Sequence, residues 1–446
     1  MVHRFAFLAA PLLALPFIVY ACGSDDSAAP PSTQPDTNDE EPDEDGLDDG
    51  GSTVTITADD GGTSIPTKIR YVLVIVKENH TFDNYFTGLP GAETSMTAKL
   101  SDGTTYTRPA AQAADLSQDI CHANSCAVNV LDNGKMDRFD QNNAGKLPFI
   151  RYTEEQIPNY WQYARNFAIA DHFFSHILGP STPGHSVMWT GRSLSIDNAK
   201  CNNPDGGKCV GSGCTADTLT TITSLNPDTC ATKKTAPCFD VPSLTDHLPA
   251  NFSWMDYGGP QALMIKSVAA DPNYKTHFRK GADLAADLGK GQIANLTIAH
   301  LSSGVESEHP TAYPCVGENF TVDIVNAAMK LPQWKEMAIV ITWDDWGGFY
   351  DHVAPKVTKC ANGGAIEQGF RLPAIIVSPY AKKGFVLKTP TEQASIPRLV
   401  EELWGMPFMT ARDKVAHDGT AGSLMEAFDF AQMPRDPLLL QTHACP

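Results

Sequence analysis

The segment YVLVIVKENHTFDNYF, from Tyr71 to Phe86, passes from an uninterrupted apolar run to polar residues. Consecutive apolar residues, most of them β-branched, are typical of a strand buried on both faces of a sheet, since such a strand has no side that faces solvent. Glu78 and Asn79 come directly after the point where this strand is expected to end. An acid and an amide therefore stand at the end of a rigid buried element.

The rest of the chain alternates in the same way. Short apolar runs predict further strands at 252–257, 295–301, 338–343 and 373–380. Segments with the apolar spacing of amphipathic helices occur at 157–174, 320–334 and 394–405. Strands that alternate with helices predict an α/β fold with a mostly parallel central sheet flanked by helices. In such a sheet ligands bind at the carboxyl ends of the strands, so we expect the chemistry at that edge.

The sequence of residues 1–21 is typical of an export signal. A short basic start precedes an apolar run that is too short to span a bilayer comfortably, and a small residue precedes Cys22. Val19-Tyr20-Ala21-Cys22 resembles a bacterial lipobox, which makes Cys22 the lipidated first residue of the mature protein. The alternative is an ordinary cleaved signal peptide with an incidental cysteine. We expect an exported protein of the bacterial cell envelope, an outer-membrane lipoprotein that faces the periplasm or the surface.

Residues 22–63 predict a disordered acidic linker between the lipid and the folded body. Thirteen Asp and Glu lie between residues 25 and 60 without a Lys or Arg, and they account for most of the formal charge of −19. A segment so poor in apolar residues cannot bury enough surface to offset its chain entropy. No basic patch follows it, so the sequence predicts no nucleic acid among the partners.

Ten cysteines follow Cys22, and an even number in an exported protein predicts disulfides. Five of them lie in one stretch rich in Gly, Thr and Asn: Cys201, Cys209, Cys214, Cys230 and Cys238. Because five is odd, at least one of them pairs outside the stretch or stays free. The spacings match no zinc pattern, so we interpret residues 198–240, approximately, as a loop-rich insertion held by disulfides.

Asp344 and Asp345 end the apolar run AIVITWDD and precede Gly347. Two adjacent carboxylates at the end of a buried strand repel each other and are costly to desolvate unless a cation or strong donors compensate. A hard divalent ion would compensate. The alternative is an ordinary turn, because Asp and Gly are common turn residues. Glu78 and Asn79 are open to a similar alternative, since an acid and an amide after a strand often cap a helix.

The segment GPSTPGHS offers a hydroxyl, from Ser181 or Thr182, in front of a possible helix. A helix N-terminus favours phosphate, although Ser and Thr at this position are commonly N-caps. Deprotonated with the help of a metal, such a hydroxyl becomes a nucleophile.

Three histidines have informative neighbours. His122 lies in SQDICHANSC, His309 in ESEHPTAYP and His352 in FYDHV. A single histidine is usually structural or lies on the surface, but near strand-end carboxylates these three can bind phosphate oxygens or protonate a leaving group.

Together these motifs resemble a known family, the bacterial phosphoesterases that include phospholipases C and acid phosphatases and that are related in fold to alkaline phosphatase. The motifs occur in the family's order between Lys68 and Met406: KENHTFDNYF, DNGKMDRF, IPNYWQYARNFAIADHFF, GPSTP, SEHP and WDDWGGFYDHVAP. The resemblance implies an alkaline-phosphatase-like fold and a phosphoesterase domain over residues 64–446. His80 departs from the pattern, because the family usually has Arg there.

The resemblance also implies the residues of the site. One divalent metal ion would be bound by Glu78, Asn79, Ser181, Asp344 and Asp345. Ser181 would also be the nucleophile, and the substrate phosphate or leaving group would be surrounded by His122, His309 and His352. The family's phospholipases generally use Thr as the nucleophile and its acid phosphatases Ser, so Ser181 points to the latter, with Thr182 next to it as the alternative.

The sequence therefore predicts a metal-dependent hydrolase that acts on a phosphate monoester or a phospholipid through a phospho-serine intermediate. The alternative, from a different class, is a non-catalytic binding lipoprotein anchored to the surface. In that protein the polar residues at the strand ends would act as caps around a structural ion.

Overall fold

A computed structural model describes residues 67–445, apart from 113–114, 116–117, 206, 227–228, 260, 303, 360–364 and 410–421. The described residues all belong to one unit of the chain, Val54–Pro446. The predicted signal peptide at 1–21, Cys22 and the predicted linker at 22–63 lie outside them. Within the described part of the chain, no helix is both long enough and apolar enough to cross a membrane.

Short strands account for much of the regular structure. In chain order they are β1 (Tyr71–Lys77), β2 (Thr97–Lys99), β3 (Thr105–Thr107), β4 (Ala168–Ala170), β5 (Phe173–Phe174), β6 (Lys200–Cys201), β7 (Thr220–Leu225), β8 (Thr232–Thr235), β9 (Trp254–Tyr257), β10 (Phe278–Arg279), β11 (Leu296–His300), β12 (Met337–Trp343), β13 (Val357–Lys359), β14 (Ala365–Glu367), β15 (Ala374–Val377), β16 (Phe385–Leu387) and β17 (Thr391–Glu392). Each of the five strands predicted from the sequence is present, as β1, β9, β11, β12 and β15.

One sheet of eight strands forms the centre, in the order β10-β9-β11-β1-β12-β15-β4-β16. Neighbouring strands are parallel, except that β15 is antiparallel to both β12 and β4. The predicted α/β fold with a mostly parallel sheet is confirmed.

Strand β1 lies at the middle of this sheet and is buried on both faces. The side chains of Val72–Val76 alternate between two hydrophobic clusters, one on each face. Along the β1–β12 ladder Lys77 pairs with Trp343. Glu78 and Asp344 are therefore the next residues of two adjacent parallel strands, and they leave the sheet at the same level.

Helices cover both faces of the sheet. They are α1 (Phe82–Phe86), α2 (Asn124–Leu131), α3 (Pro158–Asn166), α4 (Ser181–Thr190), α5 (Leu244–His247), α6 (Lys266–Ala270), α7 (Leu284–Gly289), α8 (Pro314–Met329) and α9 (Ser395–Trp404). Apolar side chains of α3, α7 and α8 pack in the cluster on one face, and those of α4 and α9 pack in the cluster on the other. The flanking helices that the sequence predicts are confirmed.

Two predicted helices have different bounds. The helix predicted at 157–174 ends at Asn166, because Ala168–Ala170 forms β4 between β15 and β16. The run FAIA suits a buried strand as well as a helix, and periodicity does not separate the two over so few residues. The helix predicted at 320–334 begins earlier, at Pro314, since proline fits the first turn of a helix.

Disulfides hold the irregular segments, as the cysteine count predicts. The described pairs are Cys121–Cys126, Cys201–Cys209, Cys214–Cys238 and Cys315–Cys445. Cys230 is also disulfide-bonded, and because the other four cysteines of the 198–240 segment pair with one another, its partner lies outside that segment. The segment has a small sheet of its own, β6-β7-β8.

Candidate active site and metal centre

The hydroxyl of Ser181 lies among the carboxylates at the ends of β1 and β12. Ser181 Oγ is 3.3 Å from Glu78 Oε2 and 3.2 Å from Asp345 Oδ2. Ser181 is the first residue of α4, and Pro180 is its N-cap. The serine hydroxyl therefore faces the carboxylates and does not act as an N-cap.

Neighbouring Thr182 contacts a different part of the molecule. Its backbone N–H donates to Asn198 Oδ1 at 2.8 Å, at the edge of the cysteine-rich segment. Among the described contacts, the hydroxyl at the carboxylates is that of Ser181, which favours Ser181 over Thr182 as the nucleophile.

Backbone N–H groups hold the aspartate pair. Asp344 Oδ1 accepts from the amides of Asn79 at 3.2 Å and Asp345 at 2.7 Å. Asp345 Oδ1 accepts from the amide of Gly347 at 2.7 Å. Gly347 has φ +60°, and a Cβ there would lie 2.2 Å from the Asn79 carbonyl oxygen, so glycine is required. The segment is therefore a turn, and the same turn brings both carboxylates to Glu78.

The three carboxylates at the strand ends are buried. Glu78, Asp344 and Asp345 are 2%, 0% and 1% exposed. Burial raises the pKa of Glu78 to about 8, and burial together with repulsion from Glu78 raises the pKa values of both aspartates well above their usual range. Within the described residues, no Lys or Arg forms an ion pair with any of the three. A positive charge at this place would let all three ionise.

The side-chain amide of Asn79 lies at the same point. One atom of its side-chain amide lies 2.8 Å from Asp344 Oδ1 and 3.1 Å from Glu78 Oε2. As a nitrogen this amide atom donates to both carboxylates, and as an oxygen it would face a bound cation. Asn79 is held in the left-handed region, φ +65°, where Asn is tolerated better than most residues.

This donor set fits a hard divalent cation, which prefers carboxylate, amide and hydroxyl oxygens. The residues that could hold one are Glu78, Asn79, Ser181, Asp344 and Asp345. The structure brings these five sequence-predicted residues together. Their roles as metal ligands stay predictions.

His122 and His309 flank Asn79, with their ring centroids 5.6 Å apart. The Nδ1 atom of His122 bonds to the Ile120 carbonyl oxygen at 2.8 Å, and that of His309 bonds to the Pro310 carbonyl oxygen. Carbonyl oxygens only accept, so both Nδ1 atoms are protonated donors. Any proton that either ring gains or loses is therefore carried by Nε2.

Both Nε2 atoms face the site. The other amide atom of Asn79 lies 3.4 Å from His122 Nε2 and 3.1 Å from His309 Nε2. The Asn79 amide thus bridges the carboxylates and the two imidazoles. Asp119, which the sequence analysis did not single out, adds a carboxylate oxygen 3.6 Å from His122 Nδ1.

His352 lies in a different cluster, and no described contact joins it to the residues around Ser181. Its Nδ1 bonds to Asp83 Oδ2 at 2.6 Å, and Asp83 also pairs with Arg371 at 3.1 Å. Arg371 pairs in turn with Asp351 at 3.0 Å. These are the contacts of a structural ion-pair network, and the predicted role of His352 at the phosphate stays a prediction.

His185 belongs to the site although the sequence analysis did not name it. It is 1% exposed, and its Nε2 lies 3.0 Å from Glu78 Oε1 and 3.6 Å from Asp344 Oδ2. The available signal was its spacing: residues four apart share a helix face, and His185 follows Ser181 by four in α4. Its other neighbour, His300 at the end of β11, has no such signal.

His80, the departure from the family pattern, is buried below the site and not in it. Its ring stacks on Tyr85 at 4.3 Å and on Phe349 at 4.9 Å between centroids. Its Nε2 lies 3.1 Å from the Glu308 carbonyl oxygen. His80 therefore supports the segment that carries His309.

The chain is similar in sequence to known proteins. A sequence model of the phosphoesterase family matches residues 69–407. Non-specific phospholipase C1 of Arabidopsis thaliana is 22% identical over 422 residues, 82% of this chain and 72% of that protein. Phospholipase C B of Mycobacterium tuberculosis is 21% identical over 439 residues, 82% of this chain and 79% of that protein.

Solved structures give weaker matches. A protein in the alkaline phosphatase superfamily from Vibrio parahaemolyticus is 11% identical, with a TM-score of 0.35 over 81% of this chain and 72% of that one. A likeness this weak carries no argument about the site.

Proposed function

We propose that this chain, which belongs to the phosphoesterase family, hydrolyses phosphate esters with one divalent metal ion and through a phospho-serine intermediate on Ser181. Family membership and the phospholipase C relatives support a hydrolase of phosphoric ester bonds. They therefore argue against the alternative, a non-catalytic binding lipoprotein. The observation that carries the finer proposal is the position of Ser181 Oγ, 3.3 Å from Glu78 Oε2 and 3.2 Å from Asp345 Oδ2.

Ser181 supplies the attacking oxygen. Its Oγ forms a bond to phosphorus while the bond from phosphorus to the alcohol oxygen of the ester breaks. The Oγ proton passes to one of the two carboxylate oxygens within hydrogen-bond distance, on Glu78 or Asp345. Placing the hydroxyl at the first residue of α4 also brings the phosphate to a helix N-terminus, where free backbone N–H groups favour anions.

His122 and His309 handle the protons on the other side of the reacting phosphorus. The departing alcohol oxygen takes a proton from Nε2 of one ring, the nitrogen that faces the site. In the second step, water attacks the phospho-serine and an Nε2 atom accepts its proton, while the bond from phosphorus to Ser181 Oγ breaks and Oγ takes back the proton that Glu78 or Asp345 accepted. Both rings work through Nε2 because backbone carbonyl oxygens hold both Nδ1 atoms.

The cation would be held by Glu78, Asn79, Ser181, Asp344 and Asp345. When bound, it would offset the buried negative charge, favour the deprotonated serine and polarise a phosphoryl oxygen as a Lewis acid. Residues fixed at strand ends suit this task, because metal sites need ligands placed to within a fraction of an ångström.

Phospholipids are the substrate class that the relatives support, since both carry the name phospholipase C. A phosphate monoester is the second candidate, favoured by serine rather than threonine at the position of the nucleophile in this family. The two are separated by assaying p-nitrophenyl phosphate against p-nitrophenylphosphorylcholine and phosphatidylcholine vesicles.

The N-terminal proposal concerns location. We propose that residues 1–21 direct export, that Cys22 is lipidated, and that residues 22–63 tether the enzyme to the cell envelope. Mass spectrometry of the mature N-terminus tests this, and Cys22→Ala should move the protein from the membrane fraction to the soluble one. Retention of Cys22→Ala in the membrane fraction would contradict the lipid anchor.

The catalytic proposal is tested with the purified protein before and after chelation. Activity should disappear on chelation and return with a divalent metal. Ser181→Ala should lower kcat by at least about 10³-fold while the far-UV circular dichroism spectrum stays unchanged. Acid quenching during turnover should trap a phosphorylated peptide that contains Ser181.

Thr182→Val is the matched control. Thr182 contacts Asn198 through its backbone amide, so loss of its hydroxyl should leave kcat within about threefold of the wild type. A phosphate found on Thr182, or full activity in Ser181→Ala, would end the assignment of Ser181.

A further inference from the structure

A row of three buried rings lies behind Glu78. Trp189 Nε1 lies 3.1 Å from His300 Nε2, and His300 Nδ1 lies 3.0 Å from His185 Nδ1. His185 Nε2 then lies 3.0 Å from Glu78 Oε1. The three rings are at most 1% exposed, so water does not compete for these bonds.

By distance alone, His185 could be a metal ligand. One ligand atom each of Glu78, His185 and Asp344 lie within 4.8 Å of one another. Binding a metal through Nε2 requires that this nitrogen carry no proton. The protonation of the row therefore decides between a ligand and a hydrogen-bond donor.

The indole of Trp189 fixes that protonation. An indole N–H can only donate, so His300 Nε2 accepts and His300 carries its proton on Nδ1. That Nδ1–H donates to His185 Nδ1, which leaves the proton of His185 on Nε2. A doubly protonated His300 would point an N–H at the indole N–H, and a doubly protonated His185 would point one at His300.

We propose that His185 is a positioning residue that donates from Nε2 to Glu78 and is not a ligand of the metal. This inference rests on the proposed function, because it concerns the same site. His185 occupies Oε1 of Glu78 and leaves Oε2 for Ser181 and the cation.

The tautomers can be measured in the metal-free protein. Two-bond ¹⁵N–¹H correlation spectra of ¹⁵N-histidine-labelled protein distinguish protonated from unprotonated ring nitrogens, and His185→Gln and His300→Gln assign the signals. We expect His185 to be protonated at Nε2 and His300 at Nδ1. The opposite pattern at His185 would overturn the inference.

Metal binding gives a second readout on the intact protein. In pulsed electron paramagnetic resonance of the Mn²⁺-loaded protein, His185→Gln should remove no ¹⁴N coupling from a directly bound imidazole, and the loss of such a coupling in this variant would overturn the inference. His185→Leu should weaken Mn²⁺ binding about 10- to 100-fold, as losses of hydrogen-bond partners of metal ligands do. His185→Gln keeps an N–H near the position of Nε2, so it should bind Mn²⁺ more tightly than His185→Leu. Equal weakening in both variants would contradict the donor role.

Trp189→Phe and Trp254→Phe form a matched pair. Trp254 packs against Trp189 at 5.3 Å between ring centroids, but His300 bonds to Trp189. Trp189→Phe should weaken Mn²⁺ binding more than Trp254→Phe. The reverse order would contradict the role of Trp189 in fixing the protonation of His300 and His185.

These readouts do not depend on turnover. The expected tautomers in a protein that hydrolyses no phosphate ester would leave the positioning role intact and remove the proposed function. Hydrolysis of phosphate esters by a protein with the opposite tautomer of His185 would leave the proposed function intact and remove the positioning role.

Discussion

Gly184 of α4 faces the backbone carbonyl oxygen of Asp344 so closely that a Cβ on Gly184 would lie 2.1 Å from that oxygen. The helix that carries Ser181 thus rests directly on the turn that carries the aspartate pair. Gln393 Nε2 donates to the same oxygen at 2.6 Å, which holds it in place. The spacing between nucleophile and carboxylates depends on the absence of a side chain at residue 184.

Gly184→Ala should therefore separate α4 from Asp344 and lower kcat by about 10²-fold, because misplacement by about 1 Å has that effect in active sites. Steady-state kinetics and calorimetric Mn²⁺ binding measure the change. Gly289→Ala is the control, since a Cβ at Gly289, the last residue of α7, meets nothing within 4 Å. Wild-type kinetics in Gly184→Ala would show that the close approach is not needed.

The buried pair Lys77–Glu308 should dominate the stability of the segment that leads to His309. Lys77 Nζ lies 3.1 Å from Glu308 Oε1, and both side chains are 0% exposed. Lys77→Met leaves the carboxylate buried without its cation, so the free energy of unfolding should fall by about 3–5 kcal/mol. Chemical denaturation measures it.

The double variant Lys77→Met/Glu308→Gln provides the control for charge. Its glutamine oxygen can still accept from Tyr85, which lies 2.7 Å from Glu308 Oε2 in the wild type. Most of the lost stability should return, because removal of both charges leaves none uncompensated. If the double variant is no more stable than Lys77→Met, the fall in the free energy of unfolding comes from lost packing and not from the uncompensated charge.

His352 should make the stability of the protein depend on pH. Burial lowers the pKa of His352, but the hydrogen bond and charge of Asp83 outweigh burial and raise it above its usual value. The stabilising contribution of the protonated ring is therefore complete below the unfolded-state pKa of about 6.5 and is lost as the pH rises through the folded-state value.

We expect His352→Asn to lower the free energy of unfolding more at about pH 5.5 than at about pH 9. Denaturation of both proteins at the two pH values measures this difference. A gap between wild type and variant that is equal at both pH values, or larger at high pH, would exclude an ion pair between His352 and Asp83.

The disulfide Cys315–Cys445 should contribute more stability than Cys201–Cys209. The first spans 130 residues and the second 8, and a longer loop loses more entropy in the unfolded chain when it is closed. Cys445→Ser should lower the free energy of unfolding by about 2–5 kcal/mol, and Cys209→Ser by less. The reverse order in thermal denaturation would contradict this.

The sequence predicted the parts of the site that follow strong strands. Glu78 and Asp344 come directly after long β-branched apolar runs that are typical of buried strands, so their common edge follows from a parallel sheet. His185 and His300 were not identified, because they meet only when α4 packs on the end of β11, and no single segment records that meeting. The prediction that the helix at 157–174 continues through Ala168 was wrong for a related reason: strand pairing across the sheet outweighed local periodicity.

The position of His352 could not be predicted from its motif. Its motif, FYDHV, is as distinctive as that of His309, yet its ring bonds to Asp83 and not to a residue at Ser181. Which of two buried acids a histidine reaches depends on the course of the chain after Gly347 and Gly348, and the sequence shows only that the chain turns there.

The register of β1 and β12 determines how the enzyme loses activity on heating. Lys77 pairs with Trp343, and the Asp344 amide donates to the Lys77 carbonyl oxygen at 3.0 Å, so the first residues beyond the strands are joined by the ladder itself. Fraying cannot part Glu78 from Asp344 while the centre of the sheet persists. Loss of activity on heating should thus coincide with cooperative melting of the whole domain, with no earlier, separately inactivated state.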